Sequence, residues 1–165
     1  MSYAETTLDA RGLRQALGRF ATGVTLITCR DAEGRPVGLT ANSFNSLSLD
    51  PPLVLWSLRE ESPTEAAFGA AGHFAVNVLT QQQIDLSRRF ASAEPDKFAQ
   101  GDWSDGEGGA PVLAGCAAVF ECQTVSRQSL GDHILFVGRV LRFQEEALAP
   151  LLFQGGEYRT LGPAL

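Results

Sequence analysis

Lysine is nearly missing from this 165-residue chain: Lys97 is the only one among thirteen basic residues. Histidine occurs only at 73 and 133, and cysteine only at 29, 116 and 122. The cysteines are odd in number, have no CxxC spacing and have no histidine nearby, which argues against a disulfide framework and against a zinc site. They read as reduced, buried small hydrophobes. Basic residues do not cluster beyond the pair Arg88 and Arg89, and nineteen acidic side chains leave a net charge of −6. Such a surface repels a polyphosphate backbone, so a nucleic-acid role is disfavoured. Long apolar runs are also missing. The longest uncharged stretch, 66–84, contains His73, Asn77, three consecutive glutamines and two glycines, which no bilayer-spanning helix tolerates as a group. The first dozen residues have no basic start followed by an apolar core, so we expect no export signal and a cytoplasmic protein. There is no GxGxxG, no GxxxxGK[ST], no HExxH and no Ser/His/Asp ordering, so neither a doubly wound nucleotide fold nor hydrolytic chemistry has positive support.

What is present is 44% hydrophobic and 19% charged, enough for one domain over 1–165 with a full core. Leu13, Ala16, Leu17 and Phe20 share one face of an opening helix over 7–20, with Thr6 or Thr7 as its cap. The β-branched run 24–30, the turn cluster DAEGRP and the run 37–44 predict a hairpin. An apolar strand, LVLWSL, follows Asp50-Pro51-Pro52. Ser62-Pro63-Thr64-Glu65 reads as a capping box before a helix running to about Ala71. A strand at 73–79, a helix at 81–91 and two long strands at 117–129 and 133–143 complete the pattern, the last two joined by a tight turn at Gly131-Asp132. Between 91 and 110 the chain is irregular but holds Lys97, Phe98 and Trp103, which suggests a functional loop. Six or seven strands with antiparallel hairpins predict a mainly β (α+β) domain, a closed or nearly closed antiparallel barrel with a few short helices.

Three places could carry chemistry. In Gly38–Ser46 five side chains (Thr40, Asn42, Ser43, Asn45, Ser46) bear hydroxyl or amide groups and none is charged. This is either a polar edge strand ending in an Asn/Ser turn or the lining for a neutral heteroaromatic ligand with its own carbonyls and ring nitrogens. Ser57, Arg59, Ser62 and Thr64 precede a helix start and could hold an anion, although Glu60 and Glu61 oppose one and helix capping accounts for Ser62 by itself. His133 sits at a strand start, where it could meet a ligand or simply be solvated.

The segments GRFATGVTLIT at 18–28, GLTANSFNSLSLDPPLV at 38–54, GHFAVNVL at 72–79, GDHILFVGRV at 131–140 and PLLFQGGEY at 150–158 carry a resemblance. In their order and spacing the chain from about Leu13 to Leu161 resembles the short-chain flavin reductases that supply reduced flavin to two-component monooxygenases. The resemblance implies an antiparallel Greek-key split β-barrel, a homodimer with FMN or FAD near the subunit interface. It implies that Leu39, Thr40, Ala41, Asn42, Ser43 and Ser46 surround the isoalloxazine and ribityl chain, while Ser57, Ser62 and Thr64 lie near the phosphate. His133 and the tail residues Gly155, Gly156, Glu157 and Tyr158 are implied to meet NADH or NADPH, with His133 positioning the nicotinamide nucleotide. Two positions depart from the pattern: relatives often carry a basic residue just before the phosphate serine, where this chain has Glu60 and Glu61, and another before the tail tyrosine, where it has Glu157. Hydride transfer to a flavin needs no protein nucleophile, which accounts for the missing catalytic set. Reduced flavin is then implied to reach a monooxygenase by diffusion. A flavin-binding electron carrier or sensor on the same barrel is the alternative, and a pyridoxamine-phosphate-oxidase-like enzyme would want a more basic phosphate site.

Overall fold

A computed structural model describes residues 8–165. The expected caps Thr6 and Thr7 lie outside them. Asp9 caps α1 (Ala10–Leu17), its carboxylate accepting from the Arg11 and Gly12 amides at 3.1 and 2.9 Å. Among the described residues nothing covers the predicted apolar face: Leu13, Leu17 and Phe20 are 47, 67 and 73% exposed.

Seven strands form the main sheet: β2 (Thr25–Arg30), β3 (Pro36–Ala41), β4 (Asn45–Leu49), β5 (Pro52–Arg59), β6 (His73–Val78), β9 (Ala118–Leu130) and β10 (His133–Glu145). Their order is β3-β2-β6-β9-β10-β5-β4, antiparallel throughout. A small sheet joins β1 (Thr22–Gly23), β11 (Leu152–Gln154) and β12 (Glu157–Arg159), and β7 (Trp103–Asp105) pairs with β8 (Pro111–Leu113). With the short helices α2 (Glu65–Ala70) and α3 (Ile84–Phe90), the result is a mainly β, Greek-key split barrel.

Alternation makes the core. Val54, Trp56 and Leu58 of β5 point inward, as do Ile134 and Phe136 of β10. Trp56 stacks on Phe136 at 4.7 Å between centroids and meets Phe68 and Phe74 edge-on. Burying each such phenylalanine contributes about 2 to 3 kcal/mol relative to leaving it in water. Phe74 crosses the sheet only because residue 138 is glycine: a Cβ there would stand 2.3 Å from the Phe74 Cζ. The Gly131-Asp132 turn forms as expected, with glycine at φ +62° in the first central position, which suits a type II′ hairpin.

Two local readings differ. The predicted strand over 37–44 stops at Ala41, and after Asn42–Phe44 a separate strand, β4, begins. The Asn45 side chain accepts from the Ser46 amide at 2.8 Å, local bonding that competes with a continuous ladder. The Ser62/Glu65 capping box does not form, because Glu65 turns to the Arg127 guanidinium and the Ser62 hydroxyl meets Thr64 Oγ1 at 2.9 Å. A capping box does form further on, between Thr80 and Gln83, ahead of α3. In the 91–110 segment Phe98 and Trp103 lie 5.0 and 5.6 Å from the Phe90 ring, Lys97 Nζ donates to the Phe90 carbonyl, and both aromatics also line a second, smaller cleft beside Arg30.

Candidate functional site

The barrel is closed on one side by a side chain. Where β4 no longer reaches along the edge of β5, the Ser57 amide donates to Ser43 Oγ and Ser43 Oγ donates to the Ser57 carbonyl, both at 3.0 Å. One hydroxyl thereby satisfies the two backbone groups that a further strand residue would have taken. Beside this seam opens a cleft of about 520 Å³, walled by β3, the Asn42–Ser43 link, the end of β5, the turn at 61–63 and the first residue of β10.

Most of the predicted site residues meet there. Leu39, Thr40, Ala41, Asn42 and Ser43 form one wall, Ser57 and Ser62 another, and His133 stands at the rim opposite Arg59, its cross-strand partner. Ser46 lies on β4, exposed and away from the cleft lining, and Thr64 lies behind Ser62. Gly155, Gly156, Glu157 and Tyr158 do not line the cleft. The two glycines, at φ +63 and +82°, make the turn between β11 and β12; Glu157 pairs with Arg159 at 2.6 Å.

Tyr158 reaches the cleft only through another residue. Its hydroxyl bonds Ser87 Oγ at 2.8 Å, and the Ser87 carbonyl accepts from Thr40 Oγ1 at 2.6 Å. Gly38 makes this approach feasible, since a Cβ there would stand 2.8 Å from the Phe90 ring that brings α3 against β3. Ser87 is fully buried, and sequence reasoning missed it. Its partners are 47 and 71 residues away, a separation that leaves no local pattern.

The hydroxyls therefore divide into two groups. Those of Thr40, Ser43 and Ser62 are engaged by protein. Among the described residues the Asn42 amide and the Ser57 hydroxyl have no protein partner and remain, with the Arg59 guanidinium and the Glu61 carboxylate, for a ligand. His133 Nδ1 lies 2.7 Å from Asp132 Oδ1, leaving Nε2 for the cleft. That hydrogen bond holds the Asp132 carboxyl below its ordinary range. Of the formal charges, only Arg59 and Glu61 belong to the lining. Among the described residues no group of three His, Cys, Asp or Glu is placed to hold a metal ion, and no helix is long and apolar enough to cross a membrane.

A half-apolar cleft lined by hydroxyl and amide groups with one arginine and one glutamate, set at the seam of a split barrel, has the make-up of a small-molecule site and defines the class of protein. The comparisons give that class a family. The family described as Flavin reductase like domain matches residues 17–162, and the chain belongs to it. A probable flavin reductase of Rhizobium meliloti is 46% identical over 92% of this chain, which spans 49% of that protein's length. The FMN reductase (NADH) SmoA of Agrobacterium fabrum is 45% identical, covering 91% of this chain and 85% of the relative. The reductase subunit HsaB of a flavin-dependent monooxygenase of Mycobacterium tuberculosis is 43% identical, covering 94% and 84%. Among solved structures, the NADH:FAD oxidoreductase SgcE6 of Streptomyces globisporus, in complex with NAD and FAD fragments, superposes with a TM-score of 0.88 at 39% identity and 94% coverage of both chains.

Proposed function

We propose that this chain, acting as a single domain over 1–165, is an NAD(P)H-dependent flavin reductase that passes a hydride to FMN or FAD and supplies reduced flavin to a partner monooxygenase by diffusion in the cytoplasm. The observation that carries the reading is the convergence of residues 39–43, Ser57, Ser62 and His133 on one cleft. The donor set fits a flavin. The Asn42 amide is free to pair with ring or ribityl polar groups and the Ser57 hydroxyl with the phosphate, and Leu39 and Ala41 give the wall apolar surface. The bound flavin supplies the hydride acceptor. The protein's share is to orient the two nucleotides and keep water from between them. His133, its Nδ1 bonded to Asp132, hydrogen-bonds the nicotinamide nucleotide through Nε2 in this reading. Tyr158 acts in this reading as an anchor that fixes Thr40 through Ser87. Its hydroxyl is already engaged and does not line the cleft.

A homodimer accounts for apolar surface that the single chain leaves in water: Leu13, Leu17 and Phe20 near α1, and Leu49 and Phe143, the last two 93 and 67% exposed. Steady-state oxidation of NADH and of NADPH with FMN, FAD and riboflavin tests the activity, and light scattering tests the dimer. Flavin-dependent oxidation by a dimer is expected. No flavin-dependent oxidation, or full activity in a concentration-independent monomer, would refute the corresponding part.

A further inference from the structure

Glu61 lines the cleft between Arg59 and Ser62. Among the described residues no cation comes within ion-pairing distance of its carboxylate. The Ser62 hydroxyl is engaged by Thr64, which leaves Arg59, the one arginine in the lining, and the Ser57 hydroxyl as the side-chain groups there for a phosphate to meet. The neighbouring backbone adds a further acid, since the Glu60 amide bonds the Asp132 carbonyl and places Glu60 beside the same turn.

We propose that Glu61 sets the flavin specificity of this cleft: its charge offsets that of Arg59, so a terminal phosphate adds almost nothing to binding and riboflavin is taken as readily as FMN. The inference rests on the flavin-reductase reading. A phosphomonoester carries between about one and a half and two negative charges at neutral pH. An adjacent carboxylate in a solvent-open, salt-screened cleft weakens its binding by about three- to tenfold. Recognition then falls to the isoalloxazine and ribityl groups, which FMN and riboflavin share. The reduced flavin is correspondingly free to leave.

Kd values for riboflavin and FMN, measured by flavin fluorescence at low ionic strength in wild type, Glu61→Gln and Glu61→Lys, test this. The two wild-type values should agree within about threefold, and Glu61→Gln should lower the FMN-to-riboflavin Kd ratio by about three- to tenfold, with Glu61→Lys lowering it further. An unshifted ratio in both variants, with riboflavin still bound, overturns the role of Glu61 alone. A wild type that binds neither flavin overturns the reductase reading, and this inference with it.

Discussion

Asn42 and Ser43 are neighbours in sequence with opposite duties, and replacing each by alanine separates them. Ser43 Oγ makes two 3.0 Å hydrogen bonds to the backbone of Ser57, so Ser43→Ala leaves an amide and a carbonyl without their partner. Each bond is worth about 0.5 to 1.5 kcal/mol net, and water entering from the open cleft recovers part of the loss, which gives about 1 to 2 kcal/mol. In a domain of this size that lowers Tm by about 3 to 6 °C. Asn42 is exposed and, among the described residues, holds no other side chain, so Asn42→Ala should change stability by no more than about 0.5 kcal/mol. Its cost falls on the ligand instead: one lost hydrogen bond of about 1 kcal/mol weakens flavin binding about fivefold. Thermal unfolding of the ligand-free variants and fluorescence titration with flavin read the two quantities separately. If Asn42→Ala lowers Tm as far as Ser43→Ala does, or leaves flavin affinity unchanged, the division of the polar run into seam and ligand groups is wrong.

His133→Ala should raise the KM for NADH and lower kcat/KM by several-fold to about a hundredfold, the range for a neutral to a charged hydrogen bond, with the flavin Kd almost unchanged; rapid-mixing measurement of flavin reduction across NADH concentrations checks it. Gly138→Ala drives a Cβ to 2.3 Å from Phe74 and should cost about 1 to 3 kcal/mol through overpacking, read by urea unfolding. Burial pushes the Cys29, Cys116 and Cys122 thiols up to about 12, so all three stay protonated and unreactive as the pH rises from 7 to 9. Unfolding returns them to about 8.5, where the thiolate forms over that range and stability falls as it does. Iodoacetamide at pH 8 should label no cysteine in the native protein and three in urea; labelling of the native protein would refute their burial.

The strands were legible because period-two alternation is a local property: Val54, Trp56 and Leu58 face the core as their spacing requires, and Gly131-Asp132 could only be a tight turn. The end of the 37–44 strand was not legible, since Ser43 stops it by reaching Ser57, fourteen residues on. That Phe98 and Trp103 pack against Phe90 was not legible either, because a sequence lists aromatic anchors without saying which face receives them.

The site divides along the same line. By itself the sequence determined that a run of uncharged hydroxyls and amides lies between two strands and that His133 begins a third, since these facts depend only on residue identity and local conformation. The tertiary structure alone decided which of those groups remain for a ligand. The partners that engage Thr40, Ser43 and Tyr158 arrive from other elements across long stretches of chain, and a hydroxyl's availability is set by what folds against it.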